Sequence, residues 1–291
     1  MRIYNLGSLN IDYVYRVPHF VRAGETLSSS NMEVFPGGKG LNQSIALARA
    51  GGQVIHGGMI GHDGAFLEAL LIQNGVDSRI ETADSPTGQA IIQVDDEGSN
   101  CILLYGGTNQ MLDKAYAERF LHDAAPGDLL LLQNEVSNLP DIFTVATEKG
   151  LKIAFNPSPF DDKLLKLPLH HVKWWLCNEI EGEALFGSSD PETIAANFQK
   201  RYPNANLVLT LGSRGSLLAN ADGVIYQSAI PVNVVDTTAA GDTFTGFFLQ
   251  AVMSGYAPGK ALQIATKAAA LAVSRKGASI SIPTKAEVEN N

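Results

Sequence analysis

The segment NVVDTTAAGDTFTGFF holds the residues best suited to chemistry in this chain. Val232 to Val235 read as an apolar strand ending at Asp236, and small residues lead from there into a helix that starts near Asp242. Small side chains let the backbone N–H groups of Ala239, Ala240, Gly241 and Asp242 converge on an anion, and the positive end of the helix dipole points the same way. A carboxylate at that spot repels the very phosphate the loop attracts, unless it has a task of its own. Asp242 has one as a general base, taking a proton from an alcohol while the loop stabilises charge on a transferring phosphoryl group. The competing reading is that Asp242 only caps the helix, a position that Asp favours. On the helix alone, the two readings stand level.

A second Gly-rich segment is Gly37-Gly38-Lys39-Gly40-Leu41-Asn42. Its glycines permit positive φ and close approach of backbone to a ligand. Lys39 and Asn42 add donors suited to a polyol or a phosphate. Gly40 follows Lys39, so the segment lacks the Gly-Lys-Ser/Thr ending of a Walker A loop. Nor does any G-x-G-x-x-G open a helix, which argues against a dinucleotide-dependent oxidoreductase. Asn10 and Asp12 are either ligand-binding polar residues or an Asx turn. Glu135 closes the run DLLLLQNE at a strand C-terminus, where α/β sheets collect ligands, although a solvated strand end reads the same way. Asn178, Glu179 and Glu181 follow KWWLC and either orient a hydrated Mg²⁺ or begin an acid-rich helix. Thr210, Gly212, Ser213 and Gly215 stand in a turn that either meets a nucleotide or merely joins two elements. The pair His170-His171 has no partner at metal-ligand spacing and reads as surface; Trp174-Trp175 reads as core. Most of the candidates fall at strand C-termini, where one cleft would gather them.

The elements that must position these residues follow from the apolar pattern. RIYNLGSLNIDYVYRV reads as a strand, a Gly break, and a loop carrying Asn10 and Asp12. NMEVFPGGKGLNQSIALARAGG runs from strand through the Gly-rich loop into a helix stopped by Gly51-Gly52. QAIIQV and NCILLY flank DDEGS as a hairpin. Beyond them the pattern alternates: DLLLLQNEV strand, PDIFTVATEKG helix, LKIAFNPSP strand, KWWLCNE strand, then LVLTLGSRG as strand and turn. From Thr243 to about Ser274 the chain reads as mostly helical. Continuous apolar runs such as Leu129–Leu132 and Leu207–Leu211 are what a parallel sheet covered on both faces requires. The fold class is therefore α/β: a doubly wound, mostly parallel sheet flanked by helices. Residues 1–291 form one domain, with a small β-rich appendage from segments about 11–36 and 88–107.

Composition narrows the partners. The 291 residues are 45% hydrophobic and 18% charged, ordinary for a globular chain, and the formal net charge of -9 argues against nucleic-acid or anionic-membrane partners. Cys101 and Cys177 read as two half-buried thiols, with no disulfide framework and no zinc site. The opening residues lack the apolar stretch of a signal peptide, and no window approaches the roughly 20 apolar residues of a bilayer span. A reducing, cytoplasmic setting is the expectation.

GGKGLNQSIALARAG and DTTAAGDTFTGFF resemble the two signature stretches of the ribokinase family of carbohydrate kinases, also called the phosphofructokinase-B family. The resemblance runs through nearly the whole chain in order: SLNID, PGGKGLNQ, TGQAIIQVDDEGSN, LLQNE, CNEIEGE, TLGSRGS, DTTAAGDTF and AVSRKGASISIP. It implies a ribokinase-like kinase that transfers the γ-phosphoryl group of ATP to the terminal hydroxymethyl of a pentose. Ribose ranks first, with deoxyribose, another pentose or a ribonucleoside behind it. A ketohexose or sugar-acid kinase is the alternative within the class, and a catalytically silent sugar- or nucleotide-binding regulator the alternative outside it. Asn10, Asp12, Gly38, Lys39, Asn42 and Glu135 would hold the sugar, with Asp242 as base and Ala239, Ala240 and Gly241 as the anion hole. Asn178 and Glu181 match an N-x-x-E motif that acts through Mg²⁺, and Thr210, Gly212, Ser213 and Gly215 would line the ATP side. A monovalent cation, usually K⁺, would lie against Asp236, Thr238, Ala272, Arg275, Gly277 and Ser281, mainly through carbonyl oxygens. The appendage would be a β-sheet lid that closes over the sugar and pairs two subunits as a homodimer. Leu41, Ser44 and Ile45 stand where the family commonly carries smaller residues, and Leu41 adjoins Lys39 and Asn42, so a change in pocket size is expected; NQML around residue 111 is also unusual.

Overall fold

The structure is a computed structural model and describes residues 1–290. Thirteen strands run in chain order: β1 (Ile3–Leu6), β2 (Asn10–Arg16), β3 (Asn31–Gly37), β4 (Val54–Ile60), β5 (Asp77–Thr82), β6 (Gly88–Val94), β7 (Asn100–Tyr105), β8 (Leu129–Gln133), β9 (Lys152–Asn156), β10 (Val172–Asn178), β11 (Asn206–Thr210), β12 (Ser216–Asn220) and β13 (Gly223–Gln227). The helices are α1 (Lys39–Arg49), α2 (Ala65–Gln73), α3 (Lys114–Phe120), α4 (Leu139–Glu148), α5 (Glu179–Phe186), α6 (Pro191–Arg201), α7 (Ala240–Met253), α8 (Pro258–Val273) and α9 (Lys285–Asn290).

Nine strands form one sheet in the order β13-β12-β11-β10-β9-β8-β1-β4-β5. Strands β5 through β11 of that order run parallel, and only β12 and β13 turn antiparallel at one edge. Both faces are covered, and the apolar runs sort by alternation. Leu129 and Leu131 join the core on one side with Trp174 and Phe248; Leu130 and Leu132 join the other with Phe155 and Trp175. All five residues of β8 are buried, as a strand sandwiched between helix layers must be.

The order of strands reverses at β1, which pairs with β4 on one side and β8 on the other. Such a switch point leaves a crevice at the strand C-termini, because successive crossovers depart in opposite directions. Residues 7–9 after β1 and 134–135 after β8 emerge there. α1 and α7 pack across this end. Their approach depends on Gly246, where a Cβ would come within 2.7 Å of the Leu47 backbone nitrogen. Phe244, Phe247 and Phe248 of α7 are buried in the same layer, each worth about 1.5–3 kcal/mol of transfer free energy as an upper estimate.

A second sheet of four strands, β3-β2-β6-β7, stands apart from the first. β6 and β7 form the expected hairpin, with Gln93 opposite Cys101. Three local expectations are corrected here. Asn10 and Asp12 lie on a strand rather than a loop, because β2 pairs with β3 and β6 along its whole length. Val232–Val235 form no strand and are largely exposed, with Val234 at 59%. Cys101 is exposed on β7, where every residue faces solvent; Cys177 is buried. Among the described residues, no helix is long and apolar enough to cross a membrane.

Candidate active site

α7 begins where the chain turns through Ala239, whose φ of 59° is a left-handed conformation unusual for a residue with a Cβ. Asp242 is therefore the third residue of the helix. Its side chain makes no capping bond; it turns instead toward α1, where Asn42 Nδ2 donates to Oδ2 at 3.1 Å and Gln43 Nε2 donates to Oδ1 at 2.8 Å. This geometry replaces the capping reading. The carboxylate is 8% exposed and sits at the wall of a cavity of about 240 Å³. N–H groups of Gly241 and Asp242 fall in the first turn, where a helix supplies no internal acceptor.

Gly241 is informative. A Cβ added there meets no protein atom within 4 Å, so nothing in the fold demands a glycine. The free space belongs to the cavity. Gly241→Ala is expected to leave the melting temperature unchanged or slightly raised, Ala being the better helix former, while slowing phosphoryl transfer by about tenfold or more if the methyl fills the anion hole that the resemblance implies. Full turnover in that variant would overturn that role.

Lys39, Asn178, Glu181, Thr210 and Phe244 share the cavity with Ala239–Asp242, together with Asn156 and Ser158, which the sequence did not single out. Asn178 and Glu181 form a capping box on α5: Glu181 Oε2 accepts from Asn178 N at 2.9 Å, and Asn178 Oδ1 accepts from Glu181 N at 2.9 Å. The acid-rich helix start and the cavity position are thus both real. Gly212 and Ser213 lie in the one-turn helix after β11, and Gly215, at φ 101°, caps it. They adjoin Thr210 without lining the cavity.

On the other flank of Asp242 lie the remaining candidates. Glu135 Oε2 accepts from the backbone nitrogen of Lys39 at 3.0 Å and from Ser8 Oγ, which fixes the Gly-rich turn to the end of β8. Gly38 has a φ of 95°, which disfavours any side chain, and a Cβ there would also press on the Ser8 carbonyl at 2.8 Å. Asn10 Oδ1 accepts from Asn109 Nδ2 at 2.7 Å, and Asn109 also brackets the backbone of Leu9. Asn109 belongs to the NQML stretch and was missed as a positioning group. Leu41 is fully buried in the core with Leu9 and Ile45 and does not line the cavity.

The charges are mutually dependent. Burial lowers the Lys39 pKa, but the carboxylates of Asp242, Glu135 and Glu181 outweigh it and hold the ammonium protonated. Burial raises Glu135, against the pull of Lys39 and Ser8. Burial, aided by the Glu135 charge, pushes Asp12 up to about 7.

The loop before α7 is tied to the segment after α8. Asp236 Oδ1 accepts from Thr238 N at 2.9 Å and Oγ1 at 2.6 Å, while Oδ2 accepts from Gly277 N at 2.9 Å. Burial works against the Asp236 anion, but these bonds prevail and lower its pKa. Ala272 and Ser281 lie in or beside the same segment, and the Arg275 side chain is turned to Glu287 at 2.7 Å.

The family model for the pfkB family of carbohydrate kinases matches residues 2–285. Among curated proteins, the chain is 35% identical to a ribokinase of Haemophilus influenzae over 97% of this chain and 95% of that one. Among solved structures it is similar to a ribokinase of Thermotoga maritima, with a TM-score of 0.87 at 33% identity, covering 99% of this chain and 98% of that one. It is also similar to a ribokinase of Arabidopsis thaliana solved with ribose and ATP, with a TM-score of 0.84 at 28% identity, covering 99% and 97%.

Proposed function

This chain belongs to the pfkB family of carbohydrate kinases, and from that premise we propose that it phosphorylates ribose on the terminal hydroxymethyl group, with Asp242 as general base. It is an ATP-dependent sugar kinase. The observation that carries the assignment of roles is the position of Asp242, a buried carboxylate at the start of α7 between the cavity of Lys39, Asn178 and Glu181 and the polar set of Asn10, Asp12 and Glu135. ATP fills the first compartment, its γ-phosphoryl group against the N–H groups of Gly241 and Asp242. Asn10, Asp12, Gly38, Lys39, Asn42 and Glu135 bind the sugar hydroxyls. Asp242 takes the proton as the hydroxymethyl oxygen forms a bond to the γ-phosphorus. The bond from phosphorus to the β–γ bridging oxygen breaks, and ADP leaves. Lys39, held protonated, offsets charge on the transferring group.

Mg²⁺ suits the Asn178–Glu181 pair. This ion keeps several waters and takes one or two carboxylates plus substrate phosphates rather than a protein cage, and the described residues hold no cluster of three ligating side chains. Glu181 lines the cavity, its Oε2 and Oε1 accepting from Asn178 N at 2.9 Å and Asn178 Nδ2 at 3.0 Å, and Mg²⁺ held there would supply charge neutralisation on the phosphates. A K⁺ ion suits the junction of 236–238 with 272–281, which Asp236 ties together through Thr238 and Gly277, and would stiffen the loop before α7 there. Asp236, Thr238, Ala272, Arg275, Gly277 and Ser281 would hold it. Replacing K⁺ by Na⁺ is expected to lower turnover severalfold, and indifference to the cation would remove this site.

The four-stranded sheet is the proposed lid. Its exposed apolar residues, including Val34, Ile91, Ile102 and Leu104, fit a homodimer that pairs the two lids. Sedimentation at a single monomeric mass would overturn that pairing.

ADP release from Mg-ATP, with K⁺ present, tests the function across ribose, deoxyribose, other pentoses, hexoses and nucleosides. Ribose-dependent turnover is the expected result. Turnover with another compound alone would reassign the substrate and keep the chemistry, while silence across the panel would overturn the proposal.

The Asp12 carboxyl provides a pH signature. With its pKa near 7, the ionised form accepts sugar hydroxyls on both oxygens through stronger, charge-assisted bonds, so the KM for the sugar should fall as pH rises from 6 to 8. Asp12→Asn should flatten that profile. The sign for stability is opposite: the folded state binds the proton that the unfolded chain has released, so this group's contribution is lost as pH rises through about 7.

A further inference from the structure

A line of buried side-chain amides runs beneath Asp242. Gln43, which donates to Asp242 Oδ1, accepts at its Oε1 from Gln133 Nε2 at 2.7 Å. The same Gln133 nitrogen donates to Asn5 Oδ1 at 3.0 Å, and Asn5 Nδ2 donates to the Gly40 carbonyl at 2.9 Å and to Ser44 Oγ at 2.8 Å. Asn5, Gln43 and Gln133 are each 0% exposed.

The polarity of this line is not free. A backbone carbonyl can only accept, so the nitrogen of Asn5 must face Gly40 and its oxygen must face Gln133. Gln133 then presents nitrogen to both Asn5 and Gln43. Gln43 can receive that bond only through its oxygen, which leaves its nitrogen for Asp242. A carboxylate at the far end demands the same direction. The arrangement has a cost, since Gln133 Oε1 finds no partner among the described residues. A buried acceptor left unpaired is unfavourable, and it is the cost of placing one Gln133 nitrogen between the Asn5 and Gln43 oxygens. Local rules broken in this way mark functional positions.

We propose that Asn5, Gln133 and Gln43 act as a positioning relay that fixes the Gln43 amide with its donor toward Asp242, and so aims the carboxylate at the acceptor hydroxyl. The proposal rests on the reading of Asp242 as the base. Gln133 touches no substrate in it and works through Gln43.

The test is steady-state kinetics of Gln43→Met, Gln133→Met and the double variant, with melting temperatures. Gln43→Met should lower kcat by about 10-fold to 100-fold with both KM values unchanged, the scale of a small misplacement of a reacting group. Gln133→Met should lower kcat by about 10-fold, and the double variant should be no slower than Gln43→Met, because one effect passes through the other. Should Gln133→Met fail to fold, Gln43→Asn withdraws the amide by one methylene, keeps it polar, and should show the same fall in kcat alone. Wild-type kcat with a lowered melting temperature would overturn the relay and leave these amides a role in folding only; so would losses that multiply in the double variant. Asp242→Asn measured alongside separates the two readings. Slow Asp242→Asn with fast Gln43→Met overturns the relay alone, and fast Asp242→Asn overturns the base and the relay with it.

Discussion

Asp242→Asn should lower kcat by about 10²–10⁴ while leaving the KM values for sugar and ATP nearly unchanged. Asparagine has the shape of aspartate but cannot take the proton, so the loss falls on the chemical step. The surroundings are ready to accept the change. Asp242 receives donors on both oxygens, from Asn42 and Gln43, and an amide nitrogen in place of one oxygen would confront a donor. Asn42 resolves the conflict, because its Oδ1 is buried without a partner. Rotating the Asn42 amide by half a turn brings that oxygen to the new nitrogen and exchanges an unpaired buried oxygen for an unpaired buried nitrogen. Stability should therefore fall only modestly, and the melting temperature is the control. Turnover near the wild-type rate would sink the general base; lost sugar binding with an unchanged chemical step, measured in a single turnover, would make Asp242 a binding group instead.

The catalytic end of the site was legible because it is local. Residues 239–242 sit in one turn, and short-range rules about small residues, helix starts and dipoles apply within it. The parallel sheet was legible for a related reason: β8 is apolar at every position, and only burial on both faces explains such a run. What failed was non-local. Asn10 and Asp12 follow a Gly break that reads as a loop, yet they pair with Gly88–Ala90, nearly eighty residues away, and that pairing makes the strand. Val232–Val235 have strand-like residues but pair with no strand, and the Val235 nitrogen donates instead to the Val273 carbonyl at the end of α8 at 2.8 Å. Cys101 lies in an apolar run whose strand is at the edge of the small sheet and covered by nothing in one chain. Gln43 and Gln133 escaped notice because an amide's task depends on its partner, and the bonded set spans four separate elements, β1, α1, β8 and α7. The charge balance around Lys39 was hidden likewise, for it joins carboxylates from the ends of β8, α5 and α7.

Gly40→Ala should abolish most activity in a protein that still folds. Gly40 is the second residue of α1, and its Cα packs on the end of β1, where a Cβ would come within 2.5 Å of the Gly7 carbonyl carbon and 2.7 Å of the Gly7 Cα. Real Cβ atoms do not approach backbone so closely, and no flexible side chain is available to yield. The helix must lift from the strand. Overpacking of this kind typically costs about 1–3 kcal/mol, within what a chain of this size withstands. Function has less margin. α1 carries Lys39, Asn42 and Gln43, so one displacement moves a phosphate-facing cation and both donors to Asp242. The Lys39 backbone bond to Glu135 lengthens in the same motion. A shift of about 1 Å in reacting groups can cost on the order of 10²-fold, and here several groups shift together, so kcat/KM for the sugar should fall by at least that factor. A folded Gly40→Ala protein with near wild-type kcat/KM would show that α1 can move without disturbing the base, and would break the link drawn between the Gly-rich turn and Asp242.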